Sequence, residues 1–165
     1  MKNKIQHYFK EILFFVIILI LLTNAMSLYK SQNLLHKPLA IQSFQLINNK
    51  EYALPKDKPI LIHFWATWCP TCKVEVSNID FLAKHFKVLT IAVRSGDDQA
   101  IQKYMSENSY NFAVVNDQNG TLSSLFRISA FPTSFIYDKK KKLRFSDVGY
   151  TSTLSLYLKM WLANL

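Results

Sequence analysis

The chain has 165 residues, with 20 Lys and Arg against 11 Asp and Glu for a formal charge of +9, and 50% of it is hydrophobic. That length suits one domain plus an appendage. No motif of a nucleic-acid reader accompanies the positive charge, so nucleic acid is excluded as a partner.

Residues 12–22 are unbroken apolar sequence, and with milder flanks the window 8–26 approaches the length that crosses a bilayer. At about −0.3 to −0.6 kcal/mol per central apolar residue, this run favours insertion by roughly 3 to 7 kcal/mol. Lys2, Lys4 and Lys10 lie before or at its start, which orients the amino terminus to the cytoplasm and exports the rest. The expectation is a cytoplasmic flank and single transmembrane helix over 1–26, a linker over 27–38 and a folded domain over 39–165. Thr23-Asn24-Ala25 offers the small residues of a cleavable signal, which is the competing reading.

In the domain, Phe44-Gln45-Leu46 and Tyr52-Ala53-Leu54 flank the turn dipeptide Asn48-Asn49, which predicts a hairpin. Residues 60–65, Ile-Leu-Ile-His-Phe-Trp, read as a buried strand. Val76, Ile79, Leu82, Ala83 and Phe86 then recur at helical spacing, with Pro70 in the first turn, where a helix tolerates proline. Strand 88–93, a turn and cap at Ser95-Gly96-Asp97-Asp98, helix 99–108 with Ile101, Tyr104 and Met105 on one face, and strand 112–115 follow. The turn cluster 116–120 leads into a short helix through Phe126. Strands 133–137 and 143–148 enclose Lys139-Lys140-Lys141-Lys142, whose charges suit a solvated hairpin turn. The last helix starts near Thr151-Ser152 and carries Leu154, Tyr157, Leu158, Trp161 and Leu162 as its expected core stripe.

Trp68-Cys69-Pro70-Thr71-Cys72 holds both cysteines of the chain at the junction of strand and helix. At a helix N-terminus the unpaired N–H groups and the dipole favour a thiolate, the nucleophilic form, at Cys69. One turn deeper, Cys72 is expected to be more shielded. This suits thiol–disulfide exchange, in which Cys69 attacks a disulfide and Cys72 resolves the mixed disulfide. A closed zinc site needs a fourth ligand, and none of the usual type follows His85. A purely structural disulfide across two intervening residues would constrain little of the unfolded chain.

The segment Phe64-Trp65-Ala66-Thr67-Trp68-Cys69-Pro70-Thr71-Cys72-Lys73-Val74-Glu75 resembles the active-site segment of the TlpA, ResA and CcmG type. These are membrane-tethered, thioredoxin-like thiol-disulfide oxidoreductases. The Pro-Thr pair is similar to that of the cytochrome c maturation members, and Glu75 matches an acidic position of the family. The resemblance implies that Glu75, on the same helix face as Cys72, accepts a proton during resolution. Ile128-Ser129-Ala130-Phe131-Pro132-Thr133 resembles the second signature, in which the proline is cis and faces the cysteines. A strand edge there can pair with an extended substrate. Arg127 and Ala130 stand where many relatives carry glycine, and bulky Phe131 precedes the proline. Val93-Arg94-Ser95-Gly96 and Asp147-Val148-Gly149-Tyr150-Thr151 resemble most closely the oxidoreductases related to suppressor of copper sensitivity protein D.

The implied fold is α/β and thioredoxin-like, a central mixed β-sheet flanked by helices, with an N-terminal hairpin and a central αβ insertion. The implied site is Cys69, Cys72 and Glu75 for catalysis, with Trp68, Pro70, Thr71, Phe131, Pro132 and Thr133 for substrate binding. No cofactor or metal is implied. The implied partners are oxidised client proteins, a membrane electron donor of the DsbD or ScsB kind and the inner membrane, with the domain in the periplasm and monomeric. A net oxidant is the related alternative. A Cu(I) carrier is the alternative from another class, since two thiolates suit Cu(I). Such carriers usually add a distal histidine and a wider cysteine spacing, and neither is present. Residues 65–69 lack the proline and hydroxyl arrangement that peroxiredoxins place before their reactive cysteine.

Overall fold

The structure, a computed structural model, describes residues 2–31, 34 and 38–165. Met1 and part of the expected linker, residues 32, 33 and 35–37, lie outside the described residues. The order is α1 (Lys2–Ser31), β1 (Ser43–Gln45), β2 (Glu51–Ala53), β3 (Ile60–Trp65), α2 (Pro70–Ala83), β4 (Lys87–Val93), α3 (Asp98–Glu107), β5 (Ala113–Asp117), α4 (Thr121–Leu125), β6 (Thr133–Tyr137), β7 (Leu143–Val148) and α5 (Thr153–Asn164).

Five strands form one sheet in the order β5-β4-β3-β6-β7. β3 pairs parallel with β4, and β4 with β5, while β6 runs antiparallel to both β3 and β7, which makes the sheet mixed. Its centre is β3, all six of whose residues are buried. That is why its sequence is a nearly continuous apolar run rather than an alternation. Ile60, Ile62 and Phe64 face one layer of the core, with Phe44, Phe126 and Phe135. Leu61 faces the other, with Ile79 and Leu82 of α2 and Leu156, Met160 and Ala163 of α5. Truncating Phe64, packed against Phe126 at 5.0 Å and Phe135 at 5.9 Å, would cost about 3–5 kcal/mol.

The β1–β2 hairpin forms as expected and is tied to β5 by the Ile47 N–H donating to the Val114 carbonyl at 3.0 Å. The insertion, α3 with β5, closes over Trp65, Ala92 and the cysteines through Ile101 and Met105. Asp97 caps α3, its carboxylate accepting the Ala100 N–H at 2.8 Å.

One expectation changes. The last helix does not bury its expected stripe. Leu154, Tyr157, Leu158, Trp161 and Leu162 are exposed, and Leu156, Met160 and Ala163 meet the sheet instead. Among the described residues no helix is long and apolar enough to cross a membrane. α1 extends over 30 residues, and its described side chains Ile12, Leu13, Phe14, Phe15, Leu21 and Leu22 are exposed. Near its end, Ser27 Oγ accepts the Val148 N–H of β7 at 3.0 Å.

Candidate active site

α2 begins where β3 ends, and the turn between them sets both cysteines. The Cys69 N–H donates to the Ala66 carbonyl at 3.2 Å, which folds the chain back at the carboxyl end of the central strand. Cys69 is the N-cap, with extended φ and ψ of −84° and 115°, and its Sγ accepts the Cys72 N–H at 3.2 Å. Pro70 holds the first helical position, where its missing N–H costs nothing. Cys69 and Cys72 are joined as a disulfide with their Cα atoms 5.3 Å apart. Both are buried, at 5% and 2% exposure, so the expected difference in shielding has the right direction and is small.

Trp68 is 57% exposed beside them and anchored by its indole N–H, which donates to the Arg94 carbonyl at 3.1 Å. Phe131 meets its ring edge-on at 5.7 Å, so an aromatic pair stands at the rim of the dithiol. Pro70 and Thr71 are exposed in the first turn of α2. The Phe131–Pro132 bond is cis, as the resemblance implied, and the Pro132 carbonyl accepts the Gly149 N–H at 2.8 Å. Gly149 adopts φ +92°, a conformation that L side chains rarely reach, and this carries the chain from β7 across to Thr151. Thr133 is turned inward. It is 1% exposed and its hydroxyl donates to the Ala130 carbonyl at 2.8 Å.

Glu75 lies on the inner side of α2, with no exposure at all. Its Oε1 accepts the Thr151 N–H at 3.3 Å, while Oε2 is buried without a hydrogen-bond partner. Burial pushes its pKa up to about 8, the Thr151 N–H pulls it down, and the negative charge of Asp147 pushes it up further. The group is thus neutral near pH 7 and becomes a base at mildly alkaline pH.

Sequence reasoning missed the polar floor beneath this carboxyl. Thr90, His63, Ser134 and Asp147 are register partners across β4, β3, β6 and β7, so they point to the same face of the sheet. His63 Nδ1 and Ser134 Oγ are 2.9 Å apart, and burial lowers the His63 pKa to about 3, which keeps the ring neutral. Asp147 pairs with Lys159 of α5. The available signal was a polar residue interrupting an apolar strand at matching positions in neighbouring strands.

A cysteine pair at a helix N-terminus, a cis proline and a buried acid on the same helix, set on this mixed sheet, define a thioredoxin-like protein. The chain belongs to the AhpC/TSA family, whose model matches residues 36–146. It is similar to the thioredoxin-like protein of Haemophilus influenzae, at 34% identity over 67% of this chain and 66% of that protein. It is also similar to the thiol-disulfide oxidoreductase ResA of Bacillus subtilis, at 33% identity over 53% of this chain and 51% of that one. The chain therefore spans between half and two thirds of the length of these curated relatives. Among solved structures, StoA from Bacillus subtilis superposes with a TM-score of 0.64 at 25% identity, over 77% of this chain and 98% of that one.

Proposed function

We propose that the chain is a thiol–disulfide oxidoreductase that reduces disulfides of partner proteins. The observation that carries this reading is the Cys69–Cys72 pair at the start of α2, flanked by the cis Pro132 bond and backed by buried Glu75. Cys69 thiolate attacks a client disulfide, forming a mixed disulfide and releasing one client thiolate. Glu75 carboxylate takes the proton of Cys72. The Cys72 thiolate then attacks Cys69 Sγ, the Cys69–Cys72 bond forms and the second client thiolate leaves with the electron pair. Trp68, Phe131, Pro70 and Thr71 frame the surface on which the client lies, with Pro132 and Thr133 buried behind it.

The apolar surroundings support the reducing direction. Trp65, Ala66, Ala92, Ile101, Met105 and Val114 share one buried apolar cluster with the cysteines, which works against the thiolate that the helix N-terminus and the Cys72 N–H favour at Cys69. A dithiol whose reduced form gains little charge stabilisation is a better electron donor. The chain has no further cysteine, so a second protein must reduce it again, and a membrane electron donor of the DsbD or ScsB kind fits that need.

The same reading makes residues 1–26 an inner-membrane anchor and 27–38 a linker, with the domain of residues 39–165 in the periplasm. Exposed Ile12, Phe14, Phe15, Leu21 and Leu22 on α1 support it, because such a surface is stable in lipid and costly in water.

Covalent trapping tests the activity. With Cys72→Ser the protein is expected to accumulate as a mixed disulfide with oxidised clients, released by dithiothreitol, and Cys69→Ser is expected to trap nothing. Equal trapping by both variants would contradict the assigned order of attack.

A further inference from the structure

Arg94, the residue after β4, is a non-glycine residue in left-handed backbone, at φ 46°. Its N–H still closes on the Asp117 carbonyl of β5 at 3.1 Å, but its carbonyl leaves the ladder and accepts the indole N–H of Trp68 at 3.1 Å. Ser95 is buried, and its hydroxyl accepts the Thr67 N–H at 3.0 Å while donating to the Val93 carbonyl at 3.1 Å. Two consecutive residues of this loop thus hold two consecutive residues of the turn that leads into Cys69. The loop is itself fastened from β5, whose Asn116 amide donates to the Gly96 carbonyl at 3.2 Å. The Arg94 side chain lies close over Gly120, where an added Cβ would come within 3.1 Å of its Nε and 3.2 Å of its Nη2.

A left-handed conformation in a residue with a Cβ persists only where its surroundings over-determine it, and such strain clusters at functional sites. Trp68 is the residue that gains from it here. An exposed tryptophan just ahead of a helix can change rotamer, and a partner that binds it must then bear the cost of ordering it. The Arg94 carbonyl holds the indole N–H, and Phe131 meets the ring edge-on at 5.7 Å, so the ring is ordered before a client arrives. Both hydrogen bonds from the loop end on Thr67 and Trp68, which directs their effect to the client surface rather than to the sulfurs.

We propose that Arg94 and Ser95 are positioning residues for client binding: Arg94 presents its carbonyl to Trp68, Ser95 steadies the turn at Thr67, and together they hold the aromatic rim in the orientation that receives the client. This rests on the oxidoreductase reading above. It gives the segment Val93-Arg94-Ser95-Gly96 a task that the exchange chemistry leaves unassigned. Because the device at position 94 is a backbone carbonyl, the side chain matters only through the conformation it keeps by packing on Gly120.

The test uses the full chain in detergent micelles and two readouts. The first follows hydrogen exchange of the indole N–H groups of the unaltered oxidised protein by NMR, and needs no variant to fold. Trp68 and Trp161 are similarly exposed, at 57% and 51%, yet Trp68 is expected to exchange about tenfold more slowly. Equal rates would overturn the proposal. The second readout is oxidation of the reduced protein in a single turnover, by the disulfide-bridged peptide somatostatin and by the small hydroxyethyl disulfide. Ser95→Ala and Arg94→Ala are expected to raise the half-saturating peptide concentration about two- to tenfold. The limiting rate, the Cys69–Cys72 reduction potential and the rate with hydroxyethyl disulfide are expected to stay as they were. Arg94→Gly accepts the left-handed conformation freely and is expected to keep the half-saturating concentration of the unaltered protein. An unmoved concentration in both alanine variants, a loss shared by the two disulfides, a shifted potential, or an Arg94→Gly variant as weak as Arg94→Ala would contradict the positioning role alone. Oxidation of the unaltered protein by neither disulfide would sink the oxidoreductase reading and this proposal with it.

Discussion

At the residue scale, burial decides the behaviour of Glu75. Its folded pKa of about 8 lies above the ordinary glutamate value of 4.5, so between those pH values the folded protein binds a proton that the unfolded chain has lost. Stability therefore falls as pH rises from about 4.5 to about 8 and levels off beyond, with no contribution from this group in acid. Glu75→Gln is expected to stabilise the oxidised protein by up to about 3 kcal/mol at pH 7, a gain that vanishes toward pH 4. Urea denaturation at both pH values checks this, and a pH-independent effect would contradict the assigned burial. The same substitution is expected to slow resolution of a mixed disulfide about 100-fold at pH 8, the loss typical of a general base. The cysteines were legible because their spacing and local helix are a sequence matter, whereas Glu75 was singled out by the resemblance to the family's acidic position. Asp147, Lys159 and the polar row ending at Thr90 were not, since they converge only through strand register and the packing of α5.

At the scale of elements, β3, β6 and β7 appear where apolar runs bounded by turn residues predict them, because such segments pair only as strands. The expected strand 112–115 instead runs over Ala113–Asp117. Asp117 closes it by accepting the Leu122 and Ser123 N–H groups at 2.9 and 2.7 Å, which satisfies the start of α4. α5 was misread for a different reason. Leucines and aromatics lie on most of its sides, so periodicity does not choose a face. The choice falls to packing, where Met160 and Ala163 meet Leu61 and Ile136. The end of α4 also carries a prediction. The Ile128 N–H bonds the Ser123 carbonyl at 2.8 Å and the Arg127 N–H the Ser124 carbonyl at 3.0 Å, a Schellman closure with Arg127 at φ 57°. Glycine is the residue this conformation favours. Arg127→Gly is expected to raise stability by about 1 kcal/mol in thermal or urea unfolding. A loss would mean that the guanidinium makes a contact that outweighs its backbone cost.

At the scale of the whole molecule, a thioredoxin-like domain follows a long helix on which Ile12, Leu13, Phe14, Phe15, Leu21 and Leu22 lie exposed. The anchor reading predicts that the intact chain stays with the membrane fraction after alkaline washing and keeps its first residues by mass. Release as a shorter soluble species beginning near Met26 would favour a cleaved signal. The domain's layers were legible because buried strands alternate with helical patterns. The docking of Ser27 on Val148 was not, since it joins residues far apart in sequence through one hydroxyl.

The central claim is that this dithiol donates electrons. It is tested most directly by equilibrating the Cys69–Cys72 pair against glutathione and dithiothreitol buffers and reading its reduction potential. The apolar cluster that holds both cysteines predicts a value in the reducing region, about −270 mV. A value of about −120 mV would make the protein an oxidant and contradict the direction assigned to it.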